Sequence, residues 1–256
     1  QLFGIAALIL IAPPLARFAL KFGAYEMFAL TFASLTLIVT LSDENKLKGF
    51  ISGILGLLLC MVGNAPIDGL PRFTFGSTQL GAGFSILPFL IGLFGISEVL
   101  KITESSKRKK RVDISIGRMR GLGISFVEAI KQLPNALISS ALGLAIGILP
   151  GIGSGTSNVL AYMVSKRRSK QSKLYGTGIV DGIVAAEAGG GGAVGGAMIP
   201  MLCLGIPGDA VTAMVLGGLM LHGLQPGPLL FVNNANVVNG IFVSMLLGAL
   251  VTLGLC

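Results

Sequence analysis

The chain has 256 residues, 53% of them hydrophobic and only 12% charged, with a mean hydropathy of +0.85. Soluble domains carry about 25% charged residues, so this composition excludes a water-soluble fold and identifies an integral membrane protein. The net charge of +8 is concentrated beside apolar segments, at 107–111 and 166–173, which marks cytoplasmic flanks under the positive-inside rule and not a nucleic-acid surface.

The chain enters an apolar run directly at Gln1 and stops inside another at Cys256. No signal peptide is expected, and the sequence reads as the interior of a longer polypeptide. Leu2–Leu20 is long enough to cross ~30 Å of hydrocarbon, with a kink expected at Pro13 and Pro14. Tyr25–Leu41, Leu47–Gly63 and Phe84–Leu100 complete four spans within 1–100. Ser42–Lys48 is a short charged turn between them, and Asn64–Gly83 is a polar, turn-rich loop outside the membrane. Residues 101–134 form a basic cytoplasmic loop and then an interfacial amphipathic helix, with Phe126, Ile130 and Leu133 on one face, ended by Pro134.

From 135 to 228 the apolar sequence is crowded with glycine and proline, which leave peptide groups without intrahelical partners. Such backbone survives in hydrocarbon only where protein or a water-filled cavity surrounds it. Asn135–Leu149 and Thr156–Ser165 are short arms flanking LPGIGSG; the second, at 1.5 Å per residue, covers about 15 Å, half the hydrocarbon core. Basic clusters on both sides make this a hairpin that enters and returns on one face. A second hairpin runs from Ala197–Ile206, through a break at Pro207 and Gly208, to Asp209–Leu221. Asn236–Cys256 begins a further span. The expected fold is therefore all-α: a single polytopic membrane domain over 1–256, with discontinuous, re-entrant helices at two Pro-Gly tips.

The first tip offers Gly151, Gly153, Ser154, Gly155, Thr156, Ser157 and Asn158. Free N–H groups and the positive end of a half-helix suit a carboxylate, and the hydroxyls and the amide would fix its orientation; the competing reading is a plain helix cap. At the second tip Pro207, Gly208, Asp209 and Thr212 complete the expected substrate site. Asp209 there either caps the half-helix or coordinates a cation. Asp181 and Glu187 are the only carboxylates between Lys173 and Asp209, and intramembrane carboxylates read as ion or proton sites. Asp181 has an alternative, pairing with Lys173 at the interface. His222, the single histidine, reads as a positional hydrogen bonder. With no nucleophile-base pair beside it, and no Walker lysine in GIGSGT, neither hydrolysis nor nucleotide chemistry is indicated. Cys60, Cys203 and Cys256 lack disulfide or zinc spacing, and no cofactor is expected beyond a coupling Na⁺ or H⁺.

Several long motifs occur in one order: PIDGLPRFTFG, LIGLFGISEVL, LPGIGSGTSNVLAYMVSKR, the Glu187 segment, and IPMLCLGIPGDAVTAMVLGGLMLHGLQPGPLLF. Together they resemble the large membrane subunit, TctA type, of tripartite tricarboxylate transporters. The resemblance implies a multi-pass permease of the bacterial inner membrane that imports citrate-like di- and tricarboxylates on an ion gradient. It also implies two partners, a small membrane subunit and a periplasmic solute-binding protein. Where the family carries a proline before the glutamate and asparagines just after it, this chain has Ala186, Gly189 and Gly190. The alternative reading is a channel or scaffold whose re-entrant loops line a pore without coupling.

Overall fold

Hydrocarbon offers no water to satisfy peptide groups, so apolar runs fold as helices. The computed structural model, which describes residues 1–40, 46–65, 69–85, 88–89, 91–96, 99–100, 103–104, 126–150 and 153–255, is accordingly almost all helix. α1 (Leu2–Ala19), α2 (Ala24–Thr40) and α3 (Lys46–Cys60) follow the first three apolar runs, and α1 continues through Pro13 and Pro14. The polar loop after α3 holds a two-residue antiparallel pair, β1 (Gly63–Asn64) with β2 (Pro71–Arg72). Of the expected fourth span, the described part includes a π-helical turn at Ile91–Ile96. The basic loop at 101–125 lies outside the described residues, Thr103 and Glu104 apart.

The second half contains α4 (Phe126–Gly147), α5 (Gly153–Arg168), α6 (Val180–Leu204), α7 (Ala210–Leu221), α8 (Pro228–Asn233) and α9 (Ala235–Leu255). Among the described residues three helices are long and apolar enough to cross a membrane: α1, α6 and Ala235–Gly254 of α9. Two expectations are corrected. Pro134 does not end the amphipathic helix, because α4 runs through it. The missing N–H costs one helix bond, but Gln132 and Asn135 on either side are anchored to Asp181 of α6, which holds the turn in helical form. Nor does the glycine run at 189–192 break the chain. It lies inside the 25 residues of α6, so the arm expected at Ala197–Ile206 is the end of a full-length helix.

α6 carries seven glycines, each worth about 1 kcal/mol against helix relative to alanine. What holds it together is contact on three sides. Against α4, a β-carbon at Gly143 would lie 1.8 Å from the Gly189 carbonyl oxygen, and one at Gly192 would lie 2.2 Å from that of Ser140. Against α1, one at Gly195 would lie 2.1 Å from the Gly4 carbonyl oxygen. Against α5, one at Gly189 would meet the Ala161 methyl at 2.5 Å. This is the small-residue packing by which membrane helices bring their backbones together. Leu8, Ile199, Met201, Leu202 and Leu230 fill the adjoining core. Cys203 is buried there, and its thiol donates to the Ala12 carbonyl.

Candidate functional site

Both Pro-Gly tips end a helix beside the interior of α6. α4 stops at Gly147, which rests on α6 so closely that a β-carbon there would lie 2.5 Å from the Ala193 carbonyl oxygen. α5 starts at Gly153, whose φ of 69° is left-handed and suits glycine. α6 ends in a left-handed Gly205, with Gly205 N–H donating to Met201 O at 3.1 Å, the αL motif, and Ile206 N–H donating to Pro200 O at 3.3 Å. The chain then folds back along α6. Gly208 is buried where a β-carbon would lie 2.8 Å from both the Ala197 Cα and the Gly147 carbonyl oxygen. Beyond α7 it returns to the same helix end, where Gly227 N–H donates to Leu202 O at 3.0 Å.

The two tips thereby meet: a β-carbon at Gly153 would touch the Asp209 Cβ at 3.4 Å. Their helix ends are not equivalent. At α7, Asp209 forms a capping box. Its carboxylate accepts from Thr212 N–H at 2.8 Å, and the Thr212 hydroxyl accepts from Asp209 N–H at 3.0 Å. A negative group thus closes that positive end. α5 has no acidic residue in its first turn, so its first N–H groups keep their partial positive charge. An anion-favouring end and a carboxylate face one another across a few ångströms. They border a cleft of about 680 Å³ lined by Ser154, Asp209 and Thr212, with α6 (Val194, Met198) and α9 (Val237, Ile241, Ser244, Met245) supplying most of the apolar wall.

Sequence reasoning missed the α9 wall, although Val237, Ile241 and Met245 recur every four residues, the spacing of one helical stripe. Of the expected site residues, Ser154, Asp209 and Thr212 line this cleft, and Gly153, Pro207 and Gly208 shape the tips beside it. Gly155 and Thr156 are exposed on the first turn of α5, while Gly151 lies outside the described residues. Ser157 is fully buried against α6, with its hydroxyl donating to the Ser154 carbonyl at 2.7 Å. Asn158 presses its side-chain oxygen against Gly190, where that buried atom has no hydrogen-bond partner among the described residues. Gly189 leaves no room for a side chain against Ala161 and the Ser157 backbone, and one at Gly190 would have to displace the Asn158 amide.

Glu187 is exposed on α6 and bonds no described residue. Val194, the nearest cleft residue on that helix, is seven positions away, about 10 Å at 1.5 Å per residue. Asp181 is not part of the cleft. Its carboxylate accepts from Gln132, not from Lys173, and its carbonyl accepts from the Asn135 amide at 2.9 Å. His222 is exposed at the end of α7. No cluster of metal-ligating side chains occurs among the described residues.

Over residues 1–256 the chain matches the family described as "Tripartite tricarboxylate transporter TctA family". It is 33% identical over 244 residues to a protein of Agrobacterium vitis described as an uncharacterized 52.8 kDa protein in the TAR-I ttuC' 3'region, covering 95% of this chain and 48% of that protein. A second Agrobacterium vitis protein, described as lying in the TAR-II ttuC' 3'region, is 34% identical over 108 residues, 42% of this chain and 45% of its own length. The chain spans about half the length of the curated relatives it matches. No solved structure matches it.

Proposed function

Because the chain belongs to the tripartite tricarboxylate transporter TctA family, we propose that it is the transmembrane permease that imports di- and tricarboxylates on a Na⁺ or H⁺ gradient. In this reading it works in the bacterial inner membrane with a small membrane subunit and a periplasmic solute-binding protein. The observation that carries the proposal is the apposition of the open α5 terminus and Asp209. A substrate carboxylate sits on the N–H groups of Ser154, Gly155 and Thr156, where the helix dipole and the first-turn donors act together. The coupling cation sits against Asp209, so each charge lowers the cost of bringing the other out of water. Gly151, Ser157 and Asn158 shape the first tip, and Pro207, Gly208 and Thr212 the second. Glu187, exposed on the central helix and without a partner among the described residues, is the second carboxylate of the coupling pathway.

Proteoliposomes holding the complete subunit and its partners test this reading. Labelled citrate accumulates against its gradient and an ionophore abolishes the accumulation; uptake that only equilibrates would indicate a channel. Ser154→Ala removes a neutral hydrogen bond of about 1 kcal/mol and is expected to raise the KM for citrate about fivefold with thermal stability unchanged. Unchanged uptake kinetics would remove Ser154 from the site. Glu187→Gln is expected to shift the pH or Na⁺ dependence of uptake, and an unaltered dependence would take Glu187 out of coupling.

A further inference from the structure

A second polar cluster lies where α4, α5 and α6 meet, about 20 Å along α6 from the cleft, counting 13 residues between Asp181 and Val194. Its hydrogen bonds run in one direction. Ser165 donates its single hydroxyl hydrogen to Asn135 Oδ1 at 2.9 Å, so the 2.7 Å contact with Tyr175 must be the tyrosine donating to Ser165 Oγ. Asn135 donates to Gln132 Oε1 at 3.2 Å and to the Asp181 carbonyl, and Gln132 donates to one carboxylate oxygen of Asp181. The chain of donors ends on a carboxylate whose other oxygen has no partner among the described residues. A pocket of about 220 Å³ opens here, lined by Asp181, Arg168, Asn135 and the buried Ser139. Arg168 and Asp181 border the same pocket without forming an ion pair among the described residues.

Opposite charges held apart around one small space suit a ligand that carries both signs. A simple anion would meet Asp181. A simple cation would meet Arg168 and its exposed neighbours Lys166, Arg167, Lys170 and Lys173. Ser165, Ser169 and Tyr175 add neutral polar groups to the wall, its apolar part comes from Pro134, Ile138 and Val164, and exposed Leu133, Leu137 and Met163 continue that apolar surface along α4 and α5. Basic runs of this kind mark the headgroup level of a bilayer. We infer that this pocket binds the headgroup of a zwitterionic phospholipid of the phosphatidylethanolamine type, with phosphate on Arg168 and ammonium on Asp181, its acyl chains lying along the α4–α5 groove. The ammonium supplies the hydrogen bonds that the unpartnered carboxylate oxygen lacks.

The test is native mass spectrometry of the complete subunit released from vesicles of equal parts phosphatidylethanolamine, phosphatidylglycerol and phosphatidylcholine. One lipid is retained, with phosphatidylethanolamine favoured about tenfold, the worth of one charge-assisted hydrogen bond. Asp181→Asn keeps an acceptor for Gln132 and is expected to erase the preference for phosphatidylethanolamine over phosphatidylglycerol. Arg168→Gln is expected to lower retention of both. Circular dichroism confirms that each variant is folded, and a misfolded Asp181→Asn leaves Arg168→Gln and the wild-type lipid preference as the deciding measurements. Equal retention of the three lipids by the wild type, or an undiminished preference in a folded Asp181→Asn, overturns the assignment. Displacement of the lipid by free phosphoethanolamine at equal concentration overturns its membrane source.

Discussion

Replacing Gly143 by alanine is expected to destabilise the helical core by about 3 kcal/mol, the upper range for overpacking. The added methyl would fall 1.8 Å from the Gly189 carbonyl oxygen, and both partners are backbone, so no side chain can rotate out of the way. α4 would have to lift away from α6 along the whole line from Ser140 to Gly147, opening the contacts of Gly192 and Gly196 as well. Gly248→Ala on α9 is the comparison, because nothing lies within 4 Å of a β-carbon there. Its effect is expected to stay within about 0.5 kcal/mol, or to be slightly stabilising through helix propensity. Thermal unfolding of the two variants in the same detergent measures the difference. Equal melting temperatures would mean that the close backbone approach of α4 and α6 is not a source of stability.

Asp209 carries two roles that substitution can separate. As the N-cap of α7 it accepts from Thr212 N–H, and asparagine performs that task about as well as aspartate. As the carboxylate facing the open end of α5 it supplies charge, which asparagine does not. Asp209→Asn is therefore expected to melt within about 0.5 kcal/mol of the wild type while its apparent affinity for the coupling ion falls about 100-fold, the equivalent of a lost charged interaction. Asp209→Ala loses the cap as well, at a further cost of about 1 kcal/mol in stability. Ion-dependence curves for citrate uptake and melting curves on the same preparations decide the matter. If Asp209→Asn transports with wild-type ion dependence, the carboxylate is a cap and nothing more.

The legible parts of the fold were those fixed by local chemistry. Leu2–Ala19 announces itself by a long apolar run with Arg17 as its one charge, and the breaks after Gly147 and Leu204 are announced by Pro150 and by Pro207-Gly208. The continuity of α4 through Pro134 and of α6 through its glycines could not be read the same way. In each case the local preference for a break is overridden by partners far along the chain, such as Gln132 for Asp181 or Gly143 for Gly189. Glycine is ambiguous by nature, since it permits both unwinding and close approach, and only the neighbour decides. Of the cleft lining, Ser154, Asp209 and Thr212 are residues that tip chemistry also singles out. The α9 wall was not, because an apolar stripe looks alike whether it faces lipid, a core or a cleft.

The glycine-lined contacts around α6 also limit which parts of the molecule are free to shift. Side chains exchange rotamers, but a carbonyl oxygen seated on a neighbouring backbone has no second seat, and a slide of one residue would drive Ala193 into the place of Gly192. α1, α4, α5 and α6 are therefore held in one register. The other walls of the cleft, α7 and α9, have no such seat at Gly218, Gly240 or Gly248, where a β-carbon would have nothing within 4 Å.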